Sequence, residues 1–423
     1  MAWVGIVEKT TYVYDELHGY IKLTGVFRDI VSTKVFQRLR RIRQLPFAWY
    51  VYPGATHTRF SHALGSMHIA DIVSQRLFDS GFITKDDVSL VKASALLHDI
   101  GHAPYSHSLE PLLMELWGVE PGYLIETVVS QDPELSEVMN KHGISVSEVV
   151  SVLRGRSSSS ILNDMISSDV DVDRLDYLPR DAYHTGVAYG KIDLHRLVLF
   201  LTPGSSGVVV PLKALNALES FYIARLHMYK AVYYHKTITG YQILLRNIYS
   251  ELWKYRELRD VLEYYMSPHG ILRTIREGTY YLWDDSLISG LLNYALAKRV
   301  LSPEVEDLVY KLLNRKGYKA VVDDVRMCWS YKDVATKADE LRVFVESETS
   351  LVPPKIALFV EAVPVYTIEK PARVLAYGRE LDIVNVEESI MRYLPPFTCF
   401  TRLYVLPEYE MDVRSALAKF LKH

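Results

Sequence analysis

The sequence predicts a mainly α-helical body with a small mixed α/β region at its C-terminal end. Three observations carry this expectation. Apolar residues recur at helical spacing in successive segments from Thr33 to about Tyr255. Helix caps and breakers stand between those segments. Strand-like runs gather late in the chain, at Ala357–Val363, Arg373–Ala376 and Thr401–Leu406, with the Pro395-Pro396 turn between the last two. The expected division is a helical body over residues 1–300 and a mixed α/β domain over 301–423.

The elements follow in order. His18-Gly19 reads as a turn leading into a strand at Tyr20–Leu23. Thr33 to Leu45 carries Val35, Phe36, Leu39 and Ile42 at helical spacing, with basic residues between them. Pro46 and Tyr52-Pro53-Gly54 impose irregular backbone, and a second helix runs from about Ser61 to Leu77. A third opens at Thr84, where Asp87 three residues on completes a variant capping box. Its Val88, Val91 and Ala95 share one face, and His98 continues that stripe. The Gly- and Ser-rich run Arg154–Ser160 reads as a mobile loop. Helices resume over Asp169–Tyr183, with Pro179 a point of kinking, and again from Pro211 to about Tyr255.

Composition narrows the function classes. The chain of 423 residues is 49% hydrophobic and 23% charged, as ordinary globular proteins are. A net charge of -3 gives no global field for nucleic acid or an anionic membrane, so a nucleic-acid partner is unsupported and any anion site must be a local cluster. Cys328 and Cys399 alone, in so long a chain, argue against a disulfide framework and for a reducing, cytoplasmic setting. Met1–Asp15 lacks the pattern of a signal peptide, and no apolar run reaches membrane-spanning length. Seven Asn and five Gln against 48 Lys plus Arg and 51 Asp plus Glu suggest a thermophile.

The densest polar run is His98-Asp99-Ile100-Gly101-His102-Ala103-Pro104-Tyr105-Ser106-His107. Three histidines and a carboxylate entered from an apolar helix are costly to bury without partners, and a metal would pair them. Imidazole nitrogen with carboxylate oxygen suits Mn, Fe, Zn or Ni better than Ca or Mg. Adjacent ligands cannot close such a site, so others must come from elsewhere. His62, at the start of the preceding helix, and Asp173, in the acidic segment Asp169–Tyr177, are the candidates. A lone His-Asp pair is usually a surface feature or a cap. His57, His68 and His142 are read in that ordinary way.

The order His62, His98-Asp99, Asp173 resembles the H…HD…D signature of the HD superfamily of metal-dependent phosphohydrolases. The flanking words resemble its deoxynucleoside triphosphate triphosphohydrolase branch. They are Phe36–Leu45, Tyr52–His62, His98–His102 with Pro104 and Ser106-His107, and Asp171–Tyr177 with Arg180-Asp181. The resemblance covers roughly Asp15 to Lys236, the metal-site core of the body.

The resemblance implies one divalent transition metal (Mn, Fe, Ni, Co or Zn) on His62, His98, Asp99 and Asp173, with Mg a candidate second ion. It implies that Arg59, His102 and His107 surround the phosphates and that Arg174, Tyr177, Asp181, Arg225, Tyr233 and Lys236 face the substrate. Gln44 and Leu45 match positions that touch the nucleoside. The implied reaction splits a deoxynucleoside triphosphate into nucleoside and triphosphate, in a homo-oligomer. The alternatives are hydrolysis of another nucleotide or small phosphoester, or binding of nucleotide or nucleic acid with little turnover.

Two departures stand out. The branch carries a His-Glu pair after the HD word, and here Val119 falls where the His belongs while Glu120 is retained. Either the general acid comes from His102 or His107, or the chain has lost that step, with Glu120 the remaining catalytic candidate. The eukaryotic members place an allosteric Lys and Asp near the N-terminus. Thr11 and Ser32 stand nearest here, beside a matching Arg40, so guanine-nucleotide regulation is not supported.

Overall fold

The computed structural model describes residues 9–420; the first eight and last three residues of the expected domains, and most of the segment read for a leader, lie outside them. The described chain is mainly helical, as expected, with small sheets. No helix among the described residues is long and apolar enough to cross a membrane.

Helices that position the site include α1 (Arg59–Asp79), α2 (Lys85–Leu97), α3 (Val172–Thr185) and α4 (Leu215–Met228), which α5 (Lys236–Leu252) follows. The capping box of α2 is present, with Thr84 and Asp87 bonding each other's backbone N–H groups. Helix α3 runs unbroken through Pro179. Between α4 and α5 a π-helical turn, Tyr229–Tyr233, adds a residue to the repeat and swings Tyr233 toward α3.

The helix expected over Thr33–Leu45 is shorter. It is helical over Lys34–Gln37, tightens to a 3-10 turn over Arg38–Arg41, and is extended at Ile42. The cause is tertiary. Arg38 is fully buried and donates to the carbonyls of Trp283, Ile100 and His102, so it braces the loop after α2. The expected loop Arg154–Ser160 is also tied down. The Asn163 amide bonds both N–H and C=O of Ser157, and Arg154 pairs with Glu126.

Among the described residues, nine strands form three sheets. β1 (Thr11–Asp15) and β2 (Gly19–Leu23) make an antiparallel ribbon. β3 (Thr202–Gly204), β4 (Gly207–Pro211), β7 (Arg373–Ala376) and β8 (Arg379–Asp382) form a mixed sheet, with β4 parallel to β7. β9 (Phe397–Val405) lies between β5 (Lys319–Cys328) and β6 (Ile356–Pro364), antiparallel to both. The boundary expected near residue 300 is thus crossed by a sheet. It is also crossed by two cores: Val374, Ala376 and Met391 pack in one cluster with Leu175 and Tyr222, and Tyr404 packs with Leu97 and Leu244 in the other. The cysteines, read from the sequence as arguing against a disulfide framework, are paired. Cys328 and Cys399 face each other from β5 and β9 with Cα atoms 6.0 Å apart and form a disulfide.

Candidate metal centre

His62 projects from the first turn of α1 and is fully buried; its Nδ1–H donates to Asp176 at 2.8 Å, which leaves the Nε2 lone pair free. His98 caps α2, and its Nδ1–H donates to the Ala95 carbonyl at 2.7 Å, freeing its Nε2 as well. The two Nε2 atoms meet at 3.0 Å. Asp173, in the first turn of α3, brings Oδ1 to 2.9 Å from His62 Nε2 and 3.5 Å from His98 Nε2. Asp99 closes the group, with Oδ1 3.5 Å from His98 Nε2 and Oδ2 3.8 Å from His62 Nε2.

Two imidazole lone pairs cannot face each other at 3.0 Å unless a proton or a cation lies between them. The electrostatics agree. Burial lowers His62, but the Asp173 and Asp176 carboxylates outweigh it and raise its pKa to about 10. Burial raises Asp99, but Arg59, His98 and His102 hold it well below the usual carboxylate range. Burial raises Asp173 too, yet the two histidines hold it low. The pocket is built for positive charge. Ligand bonds of about 2.1 Å meeting at a right angle set donors about 3.0 Å apart, so the residues present fit a transition metal in a many-coordinate site.

A second constellation adjoins the first. His102 is locked between two carboxylates, its Nε2 3.0 Å from Asp99 and its Nδ1 2.5 Å from Glu110. Burial and Arg59 lower it, while Glu110 and Asp99 raise it above its ordinary value. His107 donates from Nδ1 to the other Glu110 oxygen at 2.9 Å, with its ring 70% exposed at the mouth. Burial raises Glu110, and the two histidines hold it well below the carboxylate range. Arg59 spans both groups, bonding Asp99 at 2.6 Å and Ser106 at 2.9 Å.

Farther along α3, Asp181 is buried with both oxygens engaged, one by His57 at 2.7 Å and one by the Tyr233 hydroxyl at 2.9 Å. Tyr177 stands edge-on to both His62 and Tyr233, with ring centroids 6.3 and 5.9 Å away. Arg174 pairs with Asp171, and Arg225 donates to Asp169 at 2.9 Å. The Gln44 side-chain oxygen is buried with no partner among the described residues, and Leu45 packs between the two cores. Two expected residues are not brought in. Glu120 is exposed at the start of the next helix, and Lys236 is exposed and paired with Asp323 at 3.2 Å.

Sequence reasoning passed over three residues that the fold brings to the site. Glu110, not Glu120, is the carboxylate shared by His102 and His107. Asp176 orients His62. His57 is buried on Asp181 and stacked on His184 at 4.2 Å, where an ordinary surface histidine was expected. The i, i+3 spacing of His107 and Glu110 was the one signal available in the sequence.

The family model of the HD domain matches residues 59–181, and that of the HD associated region matches residues 192–324. The chain is 39% identical over 230 residues to the uncharacterized protein MJ1154 of Methanocaldococcus jannaschii, a match covering 53% of this chain and 46% of that protein. It is 31% identical over 321 residues to the uncharacterized protein YwfO of Bacillus subtilis, covering 73% of this chain and 71% of that one. It is 26% identical over 266 residues to the deoxynucleoside triphosphate triphosphohydrolase SAMHD1 homolog of Dictyostelium discoideum, covering 59% and 51%. The chain spans about half the length of the first and third of these. The HD domain match begins at Arg59, takes in every residue of the His-Asp cluster and ends at Asp181, so the chain belongs to the HD-domain phosphohydrolase superfamily.

Proposed function

We propose that this protein hydrolyses deoxynucleoside triphosphates to nucleoside and triphosphate, using a divalent transition metal (Mn, Fe, Ni, Co or Zn) held by His62, His98, Asp99 and Asp173. The observation that carries the reading is the facing pair of Nε2 atoms at 3.0 Å among carboxylates, with His102, His107 and Arg59 beside it. A cation bound there polarises a phosphoryl oxygen and lowers the pKa of a water toward neutrality.

The chain's own residues supply the rest. Arg59 has guanidinium N–H groups left over for a phosphoryl oxygen, and His102, fixed between Asp99 and Glu110, stabilises charge as it builds there. His107 is the general acid in this reading. Glu110 fixes its Nδ1–H, so Nε2 of the exposed ring is free to carry a proton to the leaving oxygen. Arg174, Tyr177, Asp181, Arg225 and Tyr233 face the substrate in this reading, and Gln44 and Leu45 the nucleoside. The unpartnered Gln44 oxygen supports that last assignment. A homo-oligomer in the cytoplasm belongs to the same reading, and sedimentation at micromolar protein checks the first part.

The test is a hydrolysis screen of the purified protein against deoxynucleoside triphosphates, nucleoside monophosphates and small phosphoesters, with each metal supplied in turn. Nucleoside and triphosphate are expected as products. Turnover confined to monophosphates or small phosphoesters would replace this reading with that of a general HD phosphatase.

A further inference from the structure

Asp176 lies behind the metal cluster, fully buried, with both oxygens saturated. Oδ1 accepts from His18 Nε2 at 2.7 Å and Arg180 Nη2 at 2.9 Å; Oδ2 accepts from His62 Nδ1 and Arg180 Nε, both at 2.8 Å. The bond to His62 is the one that aims its Nε2 inward. His18 arrives from the turn of the β1–β2 ribbon, 158 residues away in sequence.

That turn is built to hold the histidine in place. Asp15 Oδ1 accepts from the N–H groups of Leu17 and His18 at 2.9 and 3.0 Å, and Asp15 Oδ2 accepts from Arg180 Nη1 at 2.9 Å. Glu16 takes a further bond from Arg180 Nη1 at 2.9 Å. Gly19, at φ +69°, then turns the chain back into β2. On α1, one turn after His62, Gly65 leaves the space that Asp176 and Arg180 occupy; a Cβ there would overlap Asp176 Oδ1 and Arg180 Nη2.

Stability alone does not account for this arrangement. A two-stranded ribbon is marginal by itself, and a well-packed apolar plug is often as stable as a buried ionic cluster. Ile21 and Leu23 already anchor the ribbon in the core. What the polar turn adds is a second donor, beside Arg180 Nη2, on the Asp176 oxygen that His62 does not use.

We infer that His18 is a positioning residue of the metal centre, acting through Asp176 on His62. The inference rests on the metal reading proposed above. With His18 bonded to Oδ1 beside the fork of Arg180, Asp176 keeps its orientation, His62 stays in its Nδ1–H tautomer, and Nε2 remains aimed at His98 and Asp173. Partners of this kind behind a ligand change metal affinity about 10–100-fold.

The test titrates metal-free full-length protein with Co(II), read by visible absorption and by competition with a chelator. His18→Ala is expected to weaken Co(II) binding about 10–100-fold and to alter the absorption bands. His18→Gln, whose amide N–H reaches the same carboxylate oxygen, is expected to restore both. If His18→Ala does not fold, His18→Asn takes its place, since its shorter amide stays polar but falls short of Asp176. Unchanged Co(II) affinity in the Ala or Asn variant overturns the inference, as does a Gln variant no better than Ala. A His62→Ala, His98→Ala protein separates the two readings. If it still binds Co(II) like the wild type, the metal assignment falls and His18 with it; if it alone loses Co(II), only the role of His18 is refuted.

Discussion

His62 and His98 turn their Nε2 atoms toward each other across 3.0 Å, while each Nδ1 is held by its own acceptor, Asp176 for one and the Ala95 carbonyl for the other. The tautomer of both rings is therefore set from behind, before any ligand arrives. A site organised in this way loses little entropy on binding a cation.

The first prediction follows from that pair. Wild-type protein should carry a stoichiometric transition metal, and a His98→Ala, Asp99→Ala double variant should carry none. Elemental analysis of anaerobically purified protein decides, and equal content in the two sinks the idea. Chelation of the wild type should lower its thermal midpoint, because a ligand at a hundred times its dissociation constant contributes about 2.7 kcal/mol.

The second concerns the acid. His107→Ala and Glu110→Gln should each slow deoxynucleoside triphosphate hydrolysis by about 10²–10⁴. Hydrolysis of p-nitrophenyl phosphate, whose leaving group needs little protonation, should fall much less. Equal losses on both substrates would show that His107 does something other than protonate the leaving group.

The third concerns Val119, which is 5% exposed in the core that also holds Leu113 and Leu124. A histidine there would lack a polar partner. Val119→His should cost about 1–3 kcal/mol in stability and leave turnover no higher. Denaturant melts and initial rates on one preparation check both halves, and a gain in turnover would contradict the assignment of the acid to His107.

A fourth prediction tests how far the body stands alone. A chain ending at residue 300 loses β7, β8 and Met391, and so uncovers apolar residues packed with Leu175, Leu218 and Tyr222. It also loses the bonds from Thr367 to Asp169, the partner of Arg225. Such a fragment should aggregate or melt without cooperativity. A soluble, metal-binding fragment would show that the helical body is a domain in its own right.

The fifth is a pH dependence. Burial pushes the Asp285 carboxyl up to about 6, although the N–H groups of Arg43 and Tyr105 both donate to it. The unfolded value is about 3.9. Because the folded value is the higher one, the stabilisation is fully present below pH ~4 and is lost as pH rises through about 6. Asp285→Asn removes the charge but also one acceptor. It should therefore destabilise at acid pH, with the deficit shrinking by about 2 kcal/mol from pH 4.5 to pH 8. Urea midpoints at the two pH values read the change directly, and a pH-independent deficit would refute it.

The sequence by itself determined the helical body, the α2 cap at Thr84 and the strands β6, β7 and β9, because periodicity and capping are local. It also determined the candidate ligands, since four separated words in order leave few alternatives. β5 stayed hidden because Asp323 and Asp324 interrupt its apolar run, and only the fold supplies Arg402 and Lys236 to Asp323. The 3-10 turn at Arg38 stayed hidden because its carbonyl partners come from the loop after α2 and from Trp283. The pairing of Cys328 with Cys399 likewise depends on β5 lying beside β9. The tertiary structure alone decided that Glu110 rather than Glu120 meets the histidines, that His57 serves Asp181, and that a ribbon near the N-terminus reaches Asp176 behind His62. The physical reason is the same in each case: a buried polar group must find a partner, and periodicity does not say which distant residue that partner will be.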